Sequence, residues 1–238
     1  PDRLPATAVR IASFETKETG TARACNVDDA KTFSEGDLCR HANENPSVIL
    51  WGDSHGLSLA AGLLRNDPNF AFTQAAVSGC KIAIKHKNPK WKNGCADTEK
   101  KIYEMILNDT SITDVIFAGR WSTSGSTFID LAGEKPVDGA VRQELIDIIT
   151  AVADAGKNVV IVDPVPEFPW SVPETAARKE WFDGPGRVPL SMTTPEFDDR
   201  HEEIHHDFSR LEQHPDITRI KVRDLFCDDR SATCIAEK

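Results

Sequence analysis

The chain has 238 residues, with 28 Lys and Arg against 38 Asp and Glu, a formal charge of −10 at neutral pH. That length suits one large domain or two small ones and is enough for a substantial core; 39% hydrophobic and 28% charged residues are ordinary for a soluble globular protein. No apolar run approaches the ~20 residues that span a bilayer, no signal peptide opens the sequence, and a pI near 5.2 argues against a nucleic-acid partner, which requires clustered Lys and Arg.

Residues 1–45 are rich in Pro, Thr, Asp and Asn and show little periodicity, so they read as an irregular leader or linker before a domain over 46–238. Ser47–Trp51 is a short apolar run closed by Gly52, the length and flank of a buried strand. Leu57, Ala60, Ala61 and Leu64 then share a helical face, with Asn66-Asp67-Pro68 as the stop. Phe70–Val77 reads as a second strand. A basic loop bracketed by Cys80 and Cys95 follows, then a helix over about 97–108 with Ile102, Met105 and Ile106 inward. Thr113–Ala118 is a third strand, and 122–137 a Ser/Thr/Gly loop. Residues 139–155 carry a helical stripe of Val141, Leu145, Ile148, Ile149 and Val152, and Lys157–Asp163 is a fourth strand. The Pro-rich stretch 164–195 shows no clear element and is long enough to be functional. A polar helix over about 195–213 leads to a fifth strand, Thr218–Val222. Strand and helix alternate five times, which predicts an α/β fold with a five-stranded parallel sheet sandwiched by helices.

Six cysteines fall in three local pairs: Cys25 with Cys39, Cys80 with Cys95, and Cys227 with Cys234. No C-x-x-C pair occurs, so zinc ribbons and thioredoxin-type motifs lack their signature. Six cysteines allow 15 connectivities; the local pairing is the simplest, and buried free thiols are the alternative. Disulfides would point to the periplasm or the cell exterior.

In a parallel sheet, ligands sit beyond the carboxyl ends of the strands. The first strand ends in Gly52-Asp53-Ser54-His55, which places a Ser hydroxyl and its backbone N–H at a helix N-terminus. A plain Ser or Asp helix cap would look the same. Ser78-Gly79-Cys80 follows the second strand, and Gly119-Arg120-Trp121 the third. Arg brings a forked donor and Trp an apolar face.

Gly52-Asp53-Ser54 after a buried strand resembles the SGNH (GDSL-like) hydrolases, whose fold is flavodoxin-like. The Gly-Asp-Ser-His form, the Ser-Gly-Cys, the Arg-Trp and the C-terminal Cys227-Asp228…Cys234 together resemble one subgroup over about 46–234. That subgroup is the periplasmic SGNH domain fused behind the acyltransferase-3 membrane domain of bacterial glycan O-acyltransferases. The resemblance implies Ser54 as nucleophile, with Asp53 as its partner in the same turn. It implies an oxyanion hole from the N–H groups of Ser54 and Gly79, with Arg120 standing where the family's third block carries an Asn. His55 and Trp121 become candidate substrate contacts.

A serine nucleophile needs a base within hydrogen-bond reach. The family supplies the His of an Asp-x-x-His block after the last strand. Beyond Val222 the sequence has Asp224, Asp228 and Asp229 but no His up to Lys238, so the expectation is that the catalytic block lies past Lys238 in the natural protein. His55 opens a helix beside Ser54 and is expected to point elsewhere. His201-Glu202-Glu203-Ile204-His205 matches H-E-x-x-H, but its charged flanks read as a solvated helix face. No metal site is predicted, and the resemblance implies no cofactor. It implies transfer of an acyl group, acetyl first, delivered by the fused membrane domain to a cell-surface carbohydrate at the periplasmic face of the inner membrane. The isolated domain is expected to be soluble and monomeric, with no nucleic-acid partner. A stand-alone periplasmic carbohydrate esterase and a non-catalytic glycan-binding domain are the competing readings.

Overall fold

A computed structural model of the chain describes residues 5–12, 25, 34–88, 94–122, 128–134, 139–168, 170–184 and 190–235. Five strands form a parallel sheet: β2 (Val48–Gly52), β3 (Phe72–Ala76), β5 (Asp114–Ala118), β7 (Asn158–Val162) and β9 (Ile217–Ile220). Their spatial order is β3-β2-β5-β7-β9, the flavodoxin-like order that reverses between the first and third strands. Helices α2 (Ser54–Asn66), α3 (Cys95–Asn108), α4 (Ala140–Asp154) and α6 (Thr194–Leu211) connect and cover them. The five parallel strands and four connecting helices stand where the alternation of the sequence predicts them.

Two apolar layers explain why the strands read as continuous hydrophobic runs. Ile49, Trp51, Val115, Phe117, Val159 and Ile161 pack with Ile102, Ile106, Ile148 and Phe208 on one face. Leu50, Phe72 and Ala76 pack with Leu57 and Ala60 of α2 on the other. Among the described residues, no helix is long and apolar enough to cross a membrane.

Several elements depart from the sequence reading. Residues 39–41, read as irregular leader, form β1 (Cys39–His41), an antiparallel sixth strand on the edge beside β3. Three residues are too few to show a period, and pairing with β3 supplies the order instead. A helix, α1 (Ala6–Ala12), also lies in that leader and packs on α5 (Val172–Asp183). Helix α5 falls in the Pro-rich stretch expected to lack elements. Its N-cap Ser171 accepts from the Glu174 N–H, and a proline occupies its first turn, an N-terminal arrangement that prolines favour. Only Ala176 of α5 is buried, so no apolar stripe marks it in the sequence.

Short β4 (His86–Lys87) and β6 (Ile129–Asp130) pair with each other. Strand β8 (Ser191–Thr193) joins β11 (Thr233–Ile235), which pairs with β10 (Cys227–Asp228); α7 (Arg223–Phe226) precedes them. The three local cysteine pairs are the bonded ones: Cys25–Cys39, Cys80–Cys95 and Cys227–Cys234.

Helix α6 is only half solvated. A capping box between Thr193 and Glu196 starts it, and Phe197, His201, Ile204, Phe208 and Leu211 form a buried stripe. His201 is thus in the core, tilted against Phe197 at a centroid distance of 4.7 Å and stacked on His205 at 6.0 Å. The sequence reading of this face as solvated fails because the many charges of the helix lie on its other side. No cluster of His, Cys, Asp and Glu suited to a metal occurs among the described residues.

Candidate active site

The sheet order reverses between β2 and β5, and these two strand ends meet closely. Gly52 pairs with Ala118 across the ladder. A Cβ on Gly52 would lie 1.8 Å from the Ala118 carbonyl oxygen, so only glycine lets the ends close. One turn into α2, a Cβ on Gly56 would lie 2.9 Å from the same oxygen. Helix α2 therefore starts flush against the strand tips.

Asp53 is the N-cap of α2, and its carboxylate accepts the His55 N–H at 2.9 Å. The same carboxylate accepts the Arg120 backbone N–H, at 2.9 Å to Oδ2 and 3.1 Å to Oδ1. One buried side chain thus ties the turn after β2 to the turn after β5. Ser54 is the first residue of this 13-residue helix and is exposed, at the positive end of the helix dipole.

Ser54 opens into a cleft of about 730 Å³ shared with His55, Ser58, Arg120, Asp163, Glu167, Phe168, Trp170 and Leu225. The ends of β5 and β7 reach it at Ala118 and Val162, and residues after β2 and β9 join them at Ser54 and Val222. Arg120 crosses it to Glu167, donating from Nε at 2.8 Å and Nη2 at 2.7 Å to one oxygen. Arg200 of α6 donates to that oxygen at 2.7 Å, and the His201 ring faces the other at 3.8 Å. Burial pushes the Glu167 carboxyl up, but the His201 ring, the Arg120 donors and the two guanidinium charges outweigh it and hold it at about 2. Asp163 at the end of β7 takes a two-pronged bond from Arg219 of β9, at 2.5 and 2.9 Å. Burial lowers the His55 imidazole below its ordinary range, against the pull of the Asp53 and Glu167 carboxylates.

The structure brings Asp53, Ser54, His55 and Arg120 together, with Ser54, His55 and Arg120 on one cleft wall. Gly79 lies in the turn after β3 at φ +80°, a left-handed position that suits glycine, and it does not line the cleft. Trp121 is corrected as a substrate contact. It is 6% exposed, packs edge-on against Phe208 and donates its indole N–H to the Val162 carbonyl at 2.7 Å. Its neighbour Arg120 points to the cleft, and alternation along an extended chain sends Trp121 inward.

Histidines elsewhere are engaged in the framework. His41 contacts Gln74 at 3.3 Å, His86 bonds Glu144 at 2.6 Å and His214 bonds Asp154 at 3.2 Å. Among the described residues, no imidazole bonds the Ser54 hydroxyl. Sequence reasoning missed Glu167, Arg200, Asp163 and Lys81. Asp163 and Glu167 could have been sought from the rule that residues after a parallel strand line the site, since both lie in the segment after β7.

The family model described as "SGNH domain (fused to AT3 domains)" matches residues 24–238. The match begins ahead of the expected residue 46 and takes in Cys25 and β1. Among solved structures, the chain is similar to the periplasmic domain of the lipopolysaccharide acetyltransferase of Salmonella ser. Paratyphi A, with a TM-score of 0.58 and 12% identity, over 98% of this chain and 85% of that one. At that identity the likeness speaks for the fold. No curated protein matches the chain.

Proposed function

We propose, for a chain that belongs to the family of SGNH domains fused to AT3 domains, that Ser54 takes up an acyl group and passes it to a carbohydrate hydroxyl. The observation that carries this reading is the exposed Ser54 at the N-terminus of α2, on the wall of an open cleft with Arg120. Acyl transfer needs a nucleophile, donors for the oxyanion and a place for the acceptor.

In this mechanism Ser54 Oγ attacks the acyl carbonyl carbon and its proton passes to a base, for which the pattern that this chain resembles uses a histidine. The carbonyl oxygen becomes an oxyanion at the helix N-terminus, where the Ser54 N–H and the Arg120 guanidinium are its donors, with Gly79 as the further candidate. Collapse of the intermediate expels the donor's leaving group with a proton and leaves an ester on Ser54. The acceptor hydroxyl then attacks that ester, loses its proton to the base and carries the acyl group away. Trp170, 41% exposed beside Phe168, offers an indole face to a sugar ring across the cleft. The fused AT3 domain is the source of the acyl group, and the work is done on the periplasmic side.

The test is mass spectrometry of the full chain after exposure to an activated acetyl ester. An added acetyl on Ser54, absent in Ser54→Ala, is the expected result. A chain that takes up no acetyl at Ser54, with or without its AT3 domain, would overturn the reading.

A further inference from the structure

Two buried lysines in this fold are used differently. Lys157 spends its ammonium on the carbonyls of Asp109 and Ile112, each at 2.8 Å, closing the end of α3. Lys81 has no such role. Its Nζ is buried and makes no hydrogen bond, and the charged group it meets is Asp53, whose Oδ2 lies 3.6 Å away. Both side chains are about nine-tenths buried, at 11% and 8% exposed. With Arg120 and Gly119 they line a small, partly open cavity of about 20 Å³.

A buried carboxylate is costly unless hydrogen-bonded and paired. Asp53 receives its hydrogen bonds from the His55 and Arg120 backbones, and those neutral donors bring no full charge. Glu99, buried nearby under the Trp51 indole, is pushed well up by its burial, towards its neutral form. The Arg120 guanidinium is turned to Glu167. Lys81 is therefore the cation that faces Asp53 at contact range. Burial lowers the Lys81 ammonium, and the Asp53 carboxylate works against that.

We propose that Lys81 is a positioning residue of this site: its ammonium is the counter-ion of Asp53, and Asp53 in turn locks the Ser54 turn to the Arg120 strand end. The proposal rests on the reading of Ser54 and Arg120 as nucleophile and oxyanion donor. Lys81 itself does not line the Ser54 cleft, so its effect passes through Asp53. The Cys80–Cys95 bridge, next to it in sequence, anchors the segment that carries it.

A double-mutant cycle over Lys81→Met, Asp53→Asn and the pair tests this. The readouts are the rate of Ser54 acylation by an activated acetyl ester, the ester concentration at half-maximal rate, and urea unfolding. Each single change should slow acylation by roughly 10- to 100-fold, the scale of a site displaced by about an ångström, with the half-maximal concentration unchanged. The double variant should be no slower than Asp53→Asn alone, because Lys81 has no further role once the charge is gone. Rate losses that multiply would overturn the proposal. If Lys81→Met fails to fold, Lys81→Arg, which keeps the cation, should acylate within a few-fold of the natural chain, and a loss as large as that of Asp53→Asn would overturn it. If the natural chain itself takes no acetyl, the reading of Ser54 fails separately, and the unfolding cycle still decides the pair: coupled losses support the counter-ion, additive losses refute it.

Discussion

Replacing Gly52 by alanine tests whether the site depends on the closeness of two strand tips. The new methyl carbon would stand 1.8 Å from the Ala118 carbonyl oxygen and 2.9 Å from its carbon, where ordinary contacts begin near 3.4 Å. The obstacle is main chain at the centre of the parallel sheet, so no rotamer change can relieve it. Overpacking costs about 1–3 kcal/mol, and a backbone clash belongs at the top of that range; the roughly 0.5–1 kcal/mol that alanine gains over glycine in chain entropy does not offset it. A net loss of about 2 kcal/mol would lower the midpoint of thermal unfolding by about 4–8 °C at this chain length. Acylation of Ser54 should fall on the order of 10²-fold, because the strand tips must part by more than an ångström. Gly62→Ala is the control: it lies on the exposed side of α2, a Cβ there meets nothing within 4 Å, and it should stabilise by about 0.5–1 kcal/mol. Thermal unfolding and the acetyl adduct are measured on both. A Gly52→Ala protein with natural stability and natural reactivity would refute the account of how Ser54 is placed.

Glu167 gives a pH dependence with a definite sign. Its carboxyl sits at about 2 in the fold against an ordinary 4.5, so between those values the unfolded chain binds a proton that the folded chain does not. The stability it contributes is complete above pH 4.5 and is lost as pH falls towards 2; urea midpoints from pH 2 to 6 should show a shallower slope in Glu167→Gln, and identical slopes would refute the assignment. Trp121 in the core and Trp170 at the cleft should separate cleanly. Trp121→Ala opens a core void and should cost about 3–5 kcal/mol, whereas Trp170→Ala should change stability by less than about 0.5 kcal/mol and raise the acceptor concentration needed for half-maximal transfer. Equal stability losses in the two would contradict their burial. Removing the Cys80–Cys95 bridge by a double Ala substitution frees a loop with a sequence separation of 15 and should cost about 3 kcal/mol; a calorimetric midpoint unchanged from the natural chain would show that the bridge constrains nothing.

The parallel sheet was legible because both of its faces are covered. Val48–Trp51, Val115–Ala118 and Val159–Val162 are apolar without alternation, and the helices between them carry one stripe each, so length and period name both element types. The Gly-Asp-Ser-His turn was legible as chemistry because it follows such a strand. What stayed hidden lacks a local period. Strand β1 is ordered by pairing with β3, and α5 buries only Ala176. Helix α6 presents so many charges that its buried stripe of Phe197, His201, Ile204 and Phe208 is outweighed in composition, though not in spacing. The partners of Lys81 and Glu167 were hidden for a different reason. Each acts through a partner far along the chain, Asp53 in one case and Arg120 with Arg200 in the other, and no spacing rule reaches that far.

Arg120 is where these distant contacts join. Its backbone N–H is held by Asp53, which Lys81 faces, and its guanidinium is held by Glu167, which Arg200 shares. The backbone contact fixes where the strand end stands relative to Ser54, and the side-chain contact fixes where the fork points. Glu167 takes donors from Nε and Nη2, so the Nη1 edge is not spent on it. An asparagine at this position would carry its two N–H donors on one nitrogen of a short side chain, without the separate edges of a guanidinium. A lysine would bring a single point charge without the planar fork that makes the division of labour possible. Arginine in the Gly119-Arg120-Trp121 turn is thus paired with a carboxylate after β7. Glu167, held ionised by two guanidinium groups, fixes half of the arginine fork; in the proposed mechanism the other half is the oxyanion donor at Ser54.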